Sequence, residues 1–423
     1  MRVLFVHQNF PAQYRHVAPA LAKRGDAVVA LGENAGEALP GVRHIRYKPP
    51  PSAGGKDTHR YVRRFENAVF RGQQVARAAL ALKARGFSPD LVCCHPGWGE
   101  GLFLRDAWPD AKLLYYFEYY FRSAGGDVGF DPPGEVSIDD AGRVRTLNAT
   151  HLMSLEQADW GQTPTQWQWS RFPDWARARM SVAHEGVDTR VIRRREDARF
   201  ALPDGRALGR GDEVVTFIAR GLEPYRGFPN FMRSLPEILA RRPAAQVVMV
   251  GGDEPHYGGK PPDGGTWKEK LLAELDGRLP LERVHFTGKV PHAALLDLLS
   301  LSSAHVYLTY PFVLSWSMLE AMSCGCLVVG SATAPVQEVI QDGVNGLLVD
   351  FFSPDDIAAA VVRALSDPGA MAPLRAAARR TVEERYDLRD ICLPQHVALA
   401  DAVANGRRPA DAPRPVAATA SAR

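Results

Sequence analysis

The stretch VVTFIARGLEPYRGF, residues 214–228, joins an apolar run to a turn with two arginines, Arg220 and Arg226, each followed by a glycine. A run such as VVTFIA, β-branched and aromatic without polar alternation, predicts a strand covered on both faces, and such strands belong to parallel sheets. Four more runs follow at intervals wide enough for a helix: QVVMVG (246–251), RVHFTG (283–288), HVYLTY (305–310) and CLVVGS (326–331). Together they predict a parallel α/β domain. Ligands of such sheets bind beyond the carboxyl ends of the strands, which is where Arg220 and Arg226 fall, with Gly221 and Gly227 letting the backbone approach closely.

The N-terminal half repeats the pattern. RVLFV (2–6) leads to a helix predicted near Tyr14 to Arg24, which stops at Gly25 before AVVAL (27–31), and DLVCC (90–94) and KLLYYF (112–117) continue the series. At 423 residues the chain is too long for one core, so two Rossmann-like domains facing across a crevice are expected, over 1–190 and 191–387. Helices are predicted near Met371 to Glu384 and Leu388 to Ala404, and a Pro-, Ala- and Arg-rich disordered tail over 406–423. KPPPSAGGKD (48–57) and GGDVGFDPPGEVSIDDAG (125–142) read as mobile surface segments.

Composition removes several function classes. Fifty-one Lys plus Arg against 48 Asp plus Glu leaves a net charge of +3 with the basic residues scattered, which argues against nucleic acid as a partner. The apolar run Val3 to Val6 is too short for a signal peptide and no stretch approaches a membrane span, so a cytoplasmic protein without an integral membrane segment is expected. Five cysteines without an export signal predict core thiols, and the lone Cys324-x-Cys326 pair lacks the second pair that a zinc site needs.

No Gly-x-Gly-x-x-Gly follows a strand, and GGDEPHYGGKPP (251–262) has Glu254 and Pro261 where a phosphate loop needs Gly and Ser or Thr. Dinucleotide redox chemistry and ATP hydrolysis are not supported. Two guanidinium forks at Arg220 and Arg226 suit a diphosphate, although a surface loop with two solvated arginines accounts for the same residues.

A second stretch, YPFVLSWSMLEAMSCGCLVVG (310–330), is apolar or small except for Glu320. Ser315 or Ser317 can cap a short helix through Ala321 to Ser323, closed by Gly325, so that its N-H groups point beyond the strand ends toward an anion. Glu320, about one turn inside, suits a pair of ribose hydroxyls. Pairing with a buried Arg or capping a loop is its alternative role.

These residues resemble a known family, the GT-B-fold, nucleotide-sugar-dependent retaining enzymes of glycosyltransferase family 4. The resemblance is densest from Val214 to Asp350. RGLEPYRG is similar to the family's Gly-Arg-Leu…Lys-Gly element, which implies a diphosphate role for Arg220 and Arg226, with Arg in place of the usual Lys. FVLSWSMLEAMSCG resembles the Glu-x7-Glu element, which places Glu320 on the ribose and Ser315, Trp316 and Ser317 near phosphate or sugar; PVQEVIQDGVNGLLV (335–349) matches the segment that follows. Two departures stand out. Phe312 replaces the first Glu, which usually touches the donor sugar, and HQNFPAQ (7–13) replaces the glycine pair usual after the first strand.

The resemblance implies sugar transfer from a nucleotide diphosphate donor to an acceptor hydroxyl with retention at the anomeric carbon, a hexosyltransferase-type activity. It also implies that the C-terminal helix near 388–405 packs back on the first, acceptor-binding domain. HPGWGE (95–100) and EYYFR (118–122), at strand ends, offer His95, Trp98 and Tyr119 as acceptor-side groups. Glu118, where relatives often carry a His, is an acceptor-side or catalytic candidate, against the alternative of one solvated Glu in an aromatic run. No Asp-x-Asp occurs in the chain, so Arg220 and Arg226 are expected to neutralise the leaving diphosphate without a metal or other cofactor. The donor's base and sugar and the acceptor stay open. A nucleotide-sugar epimerase or hydrolase on the same fold, or a binding protein without transfer activity, are the competing readings.

Overall fold

The structure, a computed structural model, describes residues 1–50 and 57–409. It divides into two compact units: Met1–Gly186 with the chain from Leu388 on, and Val187–Asp387.

The first unit is built on seven strands: β1 (Arg2–Val6), β2 (Ala27–Gly32), β3 (Val42–Arg46), β4 (Leu91–Cys94), β5 (Lys112–Tyr116), β6 (Trp160–Thr163) and β7 (Met180–Val182). Their order is β3-β2-β1-β4-β5-β6-β7, and every pair is parallel. Successive residues of β1 face opposite sides, as strand geometry requires. Val3 and Phe5 pack in one apolar cluster with Leu399, Ala400 and Val403 of the helix Leu393–Ala404, while Leu4 and Val6 pack in another with Val75 and Ala79 of the helix Arg63–Ala84. The long apolar runs of the sequence are therefore the strands buried on both sides. β3, β6 and β7 escape such a reading: VRHIR is a half-exposed edge strand, WGQT buries Gln and Thr, and MSV is three residues long.

The second unit opens with a hairpin of β8 (Phe200–Ala201) and β9 (Ala207–Leu208). Its six-stranded sheet comprises β10 (Val214–Gly221), β11 (Gln246–Gly252), β12 (Val284–Phe286), β13 (Ala304–Tyr307), β14 (Val328–Ser331) and β15 (Leu347–Val349). The order is β12-β11-β10-β13-β14-β15, again all parallel. Each sheet thus reverses its strand order beside its first strand, at β1/β4 and at β10/β13, and a crevice for ligands opens beyond the strand ends at such a switch point.

Loops and ends refine the sequence reading. Of the segment 125–142, the last residues begin a helix, Ile138–Leu147, because Ser137 accepts the Asp140 N-H at 3.0 Å as an N-cap, and Asp127 is buried. Between these two features the segment is mostly exposed, as its composition predicts. The helix Leu393–Ala404 closes with Gly406 in left-handed backbone (φ 65°), Gly406 N-H donating to Val403 O and Arg407 N-H to Ala402 O, so the expected tail starts as an ordered helix stop. Residues 51–56 and 410–423, which carry most of the other predicted loop and of the tail, lie outside the described residues. All five cysteines are buried free thiols, and burial raises those of Cys93, Cys94, Cys324 and Cys326. Among the described residues no helix is long and apolar enough to cross a membrane, and no cluster of His, Cys, Asp or Glu could hold a metal ion.

Candidate functional site

In the second unit the predicted donor residues gather at the carboxyl ends of β10 and β13. β10 ends at Gly221, and two residues on Glu223 is fully buried. A buried carboxylate needs donors. Glu223 has three, the backbone N-H groups of His256 (3.1 Å), Tyr257 (3.1 Å) and Gly258 (2.7 Å), which fold the loop after β11 against the loop after β10. This contact explains Gly221: a Cβ there would meet Glu254 O at 2.5 Å. Gly227 has φ 66°, and a Cβ on it would lie 2.4 Å from Leu308 Cβ. The protein's own packing, not only a ligand's approach, requires both glycines.

The two arginines separate. Arg220 is exposed and has no ion pair among the described residues, whereas Arg226 is turned inward. Arg226 Nη1 donates to Thr309 Oγ1 (2.8 Å), Val313 O (3.2 Å) and Tyr307 Oη (3.3 Å), and its guanidinium lies 5.2 Å from the Tyr257 ring centre. Tyr307 Oη also accepts the Ser315 N-H at 2.8 Å. Arg226 thereby fixes the chain between β13 and the helix Trp316–Ser323. A second cation, missed by motif reading, stands beside Arg220: Lys289, exposed in the turn after β12, brings Cε to 3.5 Å from a Cβ built on Gly252, which is itself 3.6 Å from Arg220 O. Both cations lower the pKa of His256, after the larger effect of its burial.

The helix Trp316–Ser323 forms as predicted. Ser315 is its N-cap, accepting the Ser317 N-H at 3.3 Å, its Oγ lies 2.8 Å from Ser317 Oγ, and Trp316 is exposed. Glu320 finds neither a buried Arg nor a loop: its Oε1 lies 2.9 Å from Nε2 of His292, the exposed first residue of the helix His292–Leu301. The Glu320 side chain is 16% exposed and the His292 side chain 56%, so the carboxylate is sheltered but reached through a solvent-facing imidazole. Phe312 closes the other side, edge-on to Tyr225 and Tyr257 with ring centres 5.7 and 5.4 Å away, and Tyr225 stacks on Tyr310 at 4.4 Å.

In the first unit the switch point holds His7, after β1, and His95, after β4. Their rings are 5.0 Å apart, and His95 stacks between Trp98 (4.5 Å) and Tyr116 (5.6 Å). Burial and the neighbouring His95 push the His7 pKa down to about 2, so it is a neutral ring. His95 Nε2 faces Glu118 Oε2 at 3.6 Å, and the Glu118 side chain is 39% exposed. His95, Trp98 and Glu118 therefore form one group. Tyr119 does not join it: the ring is buried and its hydroxyl donates to Asp127 at 3.3 Å, beside Arg171, so it braces the loop from Ala124. Beneath the group lies Glu100, fully buried, 3.4 Å from Tyr47 Oη and 3.8 Å from Arg71 Nε, with Oε2 lacking a hydrogen-bond partner. Burial raises its pKa to about 6. Sequence reading passed over Glu100 because nothing in HPGWGE distinguishes a solvated Glu from a buried one.

Residues 24–192 match the family described as glycosyl transferase family 4 group, and residues 202–382 the family described as glycosyl transferases group 1. A D-inositol 3-phosphate glycosyltransferase of Kribbella flavida is 29% identical over 198 residues, 45% of this chain and 44% of that protein. A GDP-mannose-dependent alpha-(1-6)-phosphatidylinositol monomannoside mannosyltransferase of Mycolicibacterium smegmatis is 28% identical over 211 residues, covering 48% and 52%. The matches span about half the length of these curated relatives. Among solved structures, sucrose-phosphate synthase from Thermosynechococcus elongatus superposes with a TM-score of 0.71 at 20% identity, over 96% of this chain and 100% of that one. Anabaena HepE in complex with UDP-glucose gives 0.64 at 15%, over 96% and 98%. These likenesses establish the GT-B fold.

Proposed function

With its two parts matching the family 4 group and group 1, the chain belongs to the family-4-like glycosyltransferases of the GT-B fold, and from that premise we propose that it transfers a sugar from a nucleotide diphosphate sugar to an acceptor hydroxyl with retention at the anomeric carbon. The observation that carries this reading is the β10/β13 switch point. Arg220 and Lys289, a capped helix start at Trp316 and the sheltered carboxylate of Glu320 converge there on the carboxyl ends of one sheet. That is the donor set for a nucleoside diphosphate, with cations and N-H groups for the phosphates and a carboxylate for two ribose hydroxyls.

The difficult step is departure of the diphosphate while positive charge grows on the sugar ring. Groups already aimed at the developing charge lower that barrier, because they do not have to reorganise as the bond breaks. In this reading Arg220 and Lys289 meet the phosphate oxygens directly, while Arg226 acts through Tyr307 and Ser315 by holding the helix start in place. The cations supply the neutralisation, so no metal is required. Phe312 lies against the sugar, and Val187–Asp387 is the donor unit. The unit Met1–Gly186 binds the acceptor, with Trp98 as an apolar platform and Glu118, backed by His95, orienting the acceptor hydroxyl.

Two measurements test the proposal. A thermal-shift screen across UDP-, GDP- and dTDP-sugars should give a rise in Tm with one donor class. Product analysis with that donor should give a glycosylated acceptor of unchanged anomeric configuration. An isomerised or hydrolysed sugar nucleotide, or binding without turnover, would replace this reading by one of its competitors.

A further inference from the structure

The first unit carries a second built cavity, at the end of its sheet remote from His7 and His95, where β5 and β6 begin. It encloses about 360 Å³ and is lined by Lys112, Trp160, Arg179, Arg407 and Arg408 among others. That volume suits a small molecule. The elements bring the cations together from distant parts of the chain: Lys112 opens β5, Arg179 directly precedes β7, and Arg407 and Arg408 follow the glycine stop of the helix Leu393–Ala404.

The charge balance of the cavity is one-sided. Its one acidic side chain, Asp159, is already held by Arg105 (2.6 Å), the Leu113 N-H (2.8 Å) and Lys112 (3.4 Å). Arg179, Arg407 and Arg408 are exposed and have no carboxylate partner among the described residues. An anion entering the cavity would therefore meet arginines that no carboxylate already holds, and would break no existing ion pair of theirs. Trp160 also lines the cavity. Its Nε1 donates to Ser181 Oγ at 2.9 Å, which fixes the indole plane, and the Arg408 guanidinium lies 6.0 Å from its ring centre.

We propose that this cavity binds a phosphorylated ligand. Phosphate oxygens match the planar forks of the arginines in bidentate fashion, and a ring attached to the phosphate can lie on Trp160. The bound ligand would tie the end of the helix Leu393–Ala404 to β5, β6 and the start of β7. It does not use the donor or acceptor groups assigned above, so it stands or falls apart from the transfer reaction.

The test is calorimetric titration of the full chain with pyrophosphate and with inorganic phosphate, in an Arg220→Ala background that removes a cation from the proposed donor site. Binding should persist in that background and weaken at least about tenfold when Arg407→Ala and Arg408→Ala are added, the size expected for losing charge-assisted hydrogen bonds. Both arginines are exposed, so the added substitutions should leave Tm in ligand-free buffer unchanged. Sedimentation with phosphatidylglycerol vesicles separates the sources: vesicle binding that the double substitution abolishes, without binding of the free phosphates, assigns a lipid headgroup. Equal affinity with and without Arg407 and Arg408, or no binding of phosphates or vesicles, overturns the proposal.

Discussion

The two switch points share a topology and differ in almost everything else. Beyond β10 and β13 the chain exposes Arg220, with Lys289 contributed by the turn after β12, opens a capped helix and carries the glycines Gly221 and Gly227. Beyond β1 and β4 the corresponding place is filled with rings, His7 against His95 and His95 between Trp98 and Tyr116, over the buried Glu100. Topology supplies the place; the first residues after each strand decide what it can hold. The open, cationic place suits a flexible polyanion, whose charge must be met by donors that remain free. The packed, aromatic place presents flat surfaces and one accessible carboxylate, Glu118, which suits a polyol hydroxyl better than a phosphate.

The sharpest way to break this contrast is at Arg220. If it meets the leaving diphosphate, Arg220→Ala should lower turnover about 10²- to 10³-fold, the loss typical of removing one transition-state donor, with Tm unchanged and EDTA without effect. Arg226→Ala should behave differently. Its guanidinium is buried and shared among Tyr307, Thr309 and Val313, so its loss should appear first as a stability loss of about 1.5 to 3 kcal/mol in denaturant titration. Parent-rate turnover in Arg220→Ala, or activity that EDTA abolishes and magnesium restores, would defeat the assignment.

The next effect is at Glu320. Glu320→Gln should weaken nucleotide binding by roughly 1.5 to 3 kcal/mol while the fold survives, because one end of a charge-assisted pair of hydrogen bonds is lost. His292→Ala sharpens the point: His292 lies 2.9 Å from the carboxylate, and if it only competes for Glu320 in the free protein its removal should leave nucleotide affinity equal or higher. Unchanged affinity in the folded Glu320→Gln chain would make the carboxylate structural.

These cases also mark what the sequence could and could not reveal. Strands buried on both faces were legible because their residues have to be continuously apolar, and the helix Trp316–Ser323 was legible because Ser315 and Gly325 mark its two ends. β3 and β6 were not, since an edge strand tolerates VRHIR and β6 buries polar residues, its Gln162 donating to Ala183 O at 3.2 Å, in place of a continuous apolar run. Within the site, spacing along the chain located Arg220 and Glu320 but could not separate an outward Arg220 from an inward Arg226. That difference depends on Tyr307, Thr309 and Val313, some eighty residues further on. Glu223 and Glu100 were invisible for the same reason: burial is a property of the fold, and their partners, the loop after β11 and Tyr47 with Arg71, are distant in sequence.

Glu100 gives a pH test confined to the packed switch point. Its pKa is raised by burial from 4.5 to about 6, so between those values the folded state holds a proton that the unfolded state has released. The contribution of Glu100 to stability therefore falls as pH rises from about 4.5 through 6, by roughly 2 kcal/mol for a shift of this size, and shows as the difference between parent and Glu100→Gln profiles. Glu100→Gln should remove that fall and leave the chain more stable at pH 8. His7, whose pKa is depressed, acts in the opposite direction: stability is lost as pH drops below the ordinary imidazole value. A stability profile that is the same in parent and Glu100→Gln chains between pH 4.5 and 7 would show the carboxylate to be ionised and solvated.

The smallest expected effect lies at Phe312, where the second unit most resembles the first. The ring sits edge-on to Tyr225 and Tyr257, so this corner of an otherwise charged site is aromatic and cannot accept a hydrogen bond from a sugar hydroxyl as a carboxylate would. A hydrophobic wall discriminates weakly against a missing or added hydroxyl, by about 10²-fold at most, whereas a site built to bond that hydroxyl rejects its absence by 10⁴-fold or more. Donors deoxygenated at successive ring positions should therefore include one that is turned over within about tenfold of the parent sugar, and Phe312→Leu should change that ratio little. If every deoxy donor is rejected by several orders of magnitude, another group bonds each hydroxyl and Phe312 does not face the sugar. If one is accepted, its position names the side of the sugar that rests against the ring.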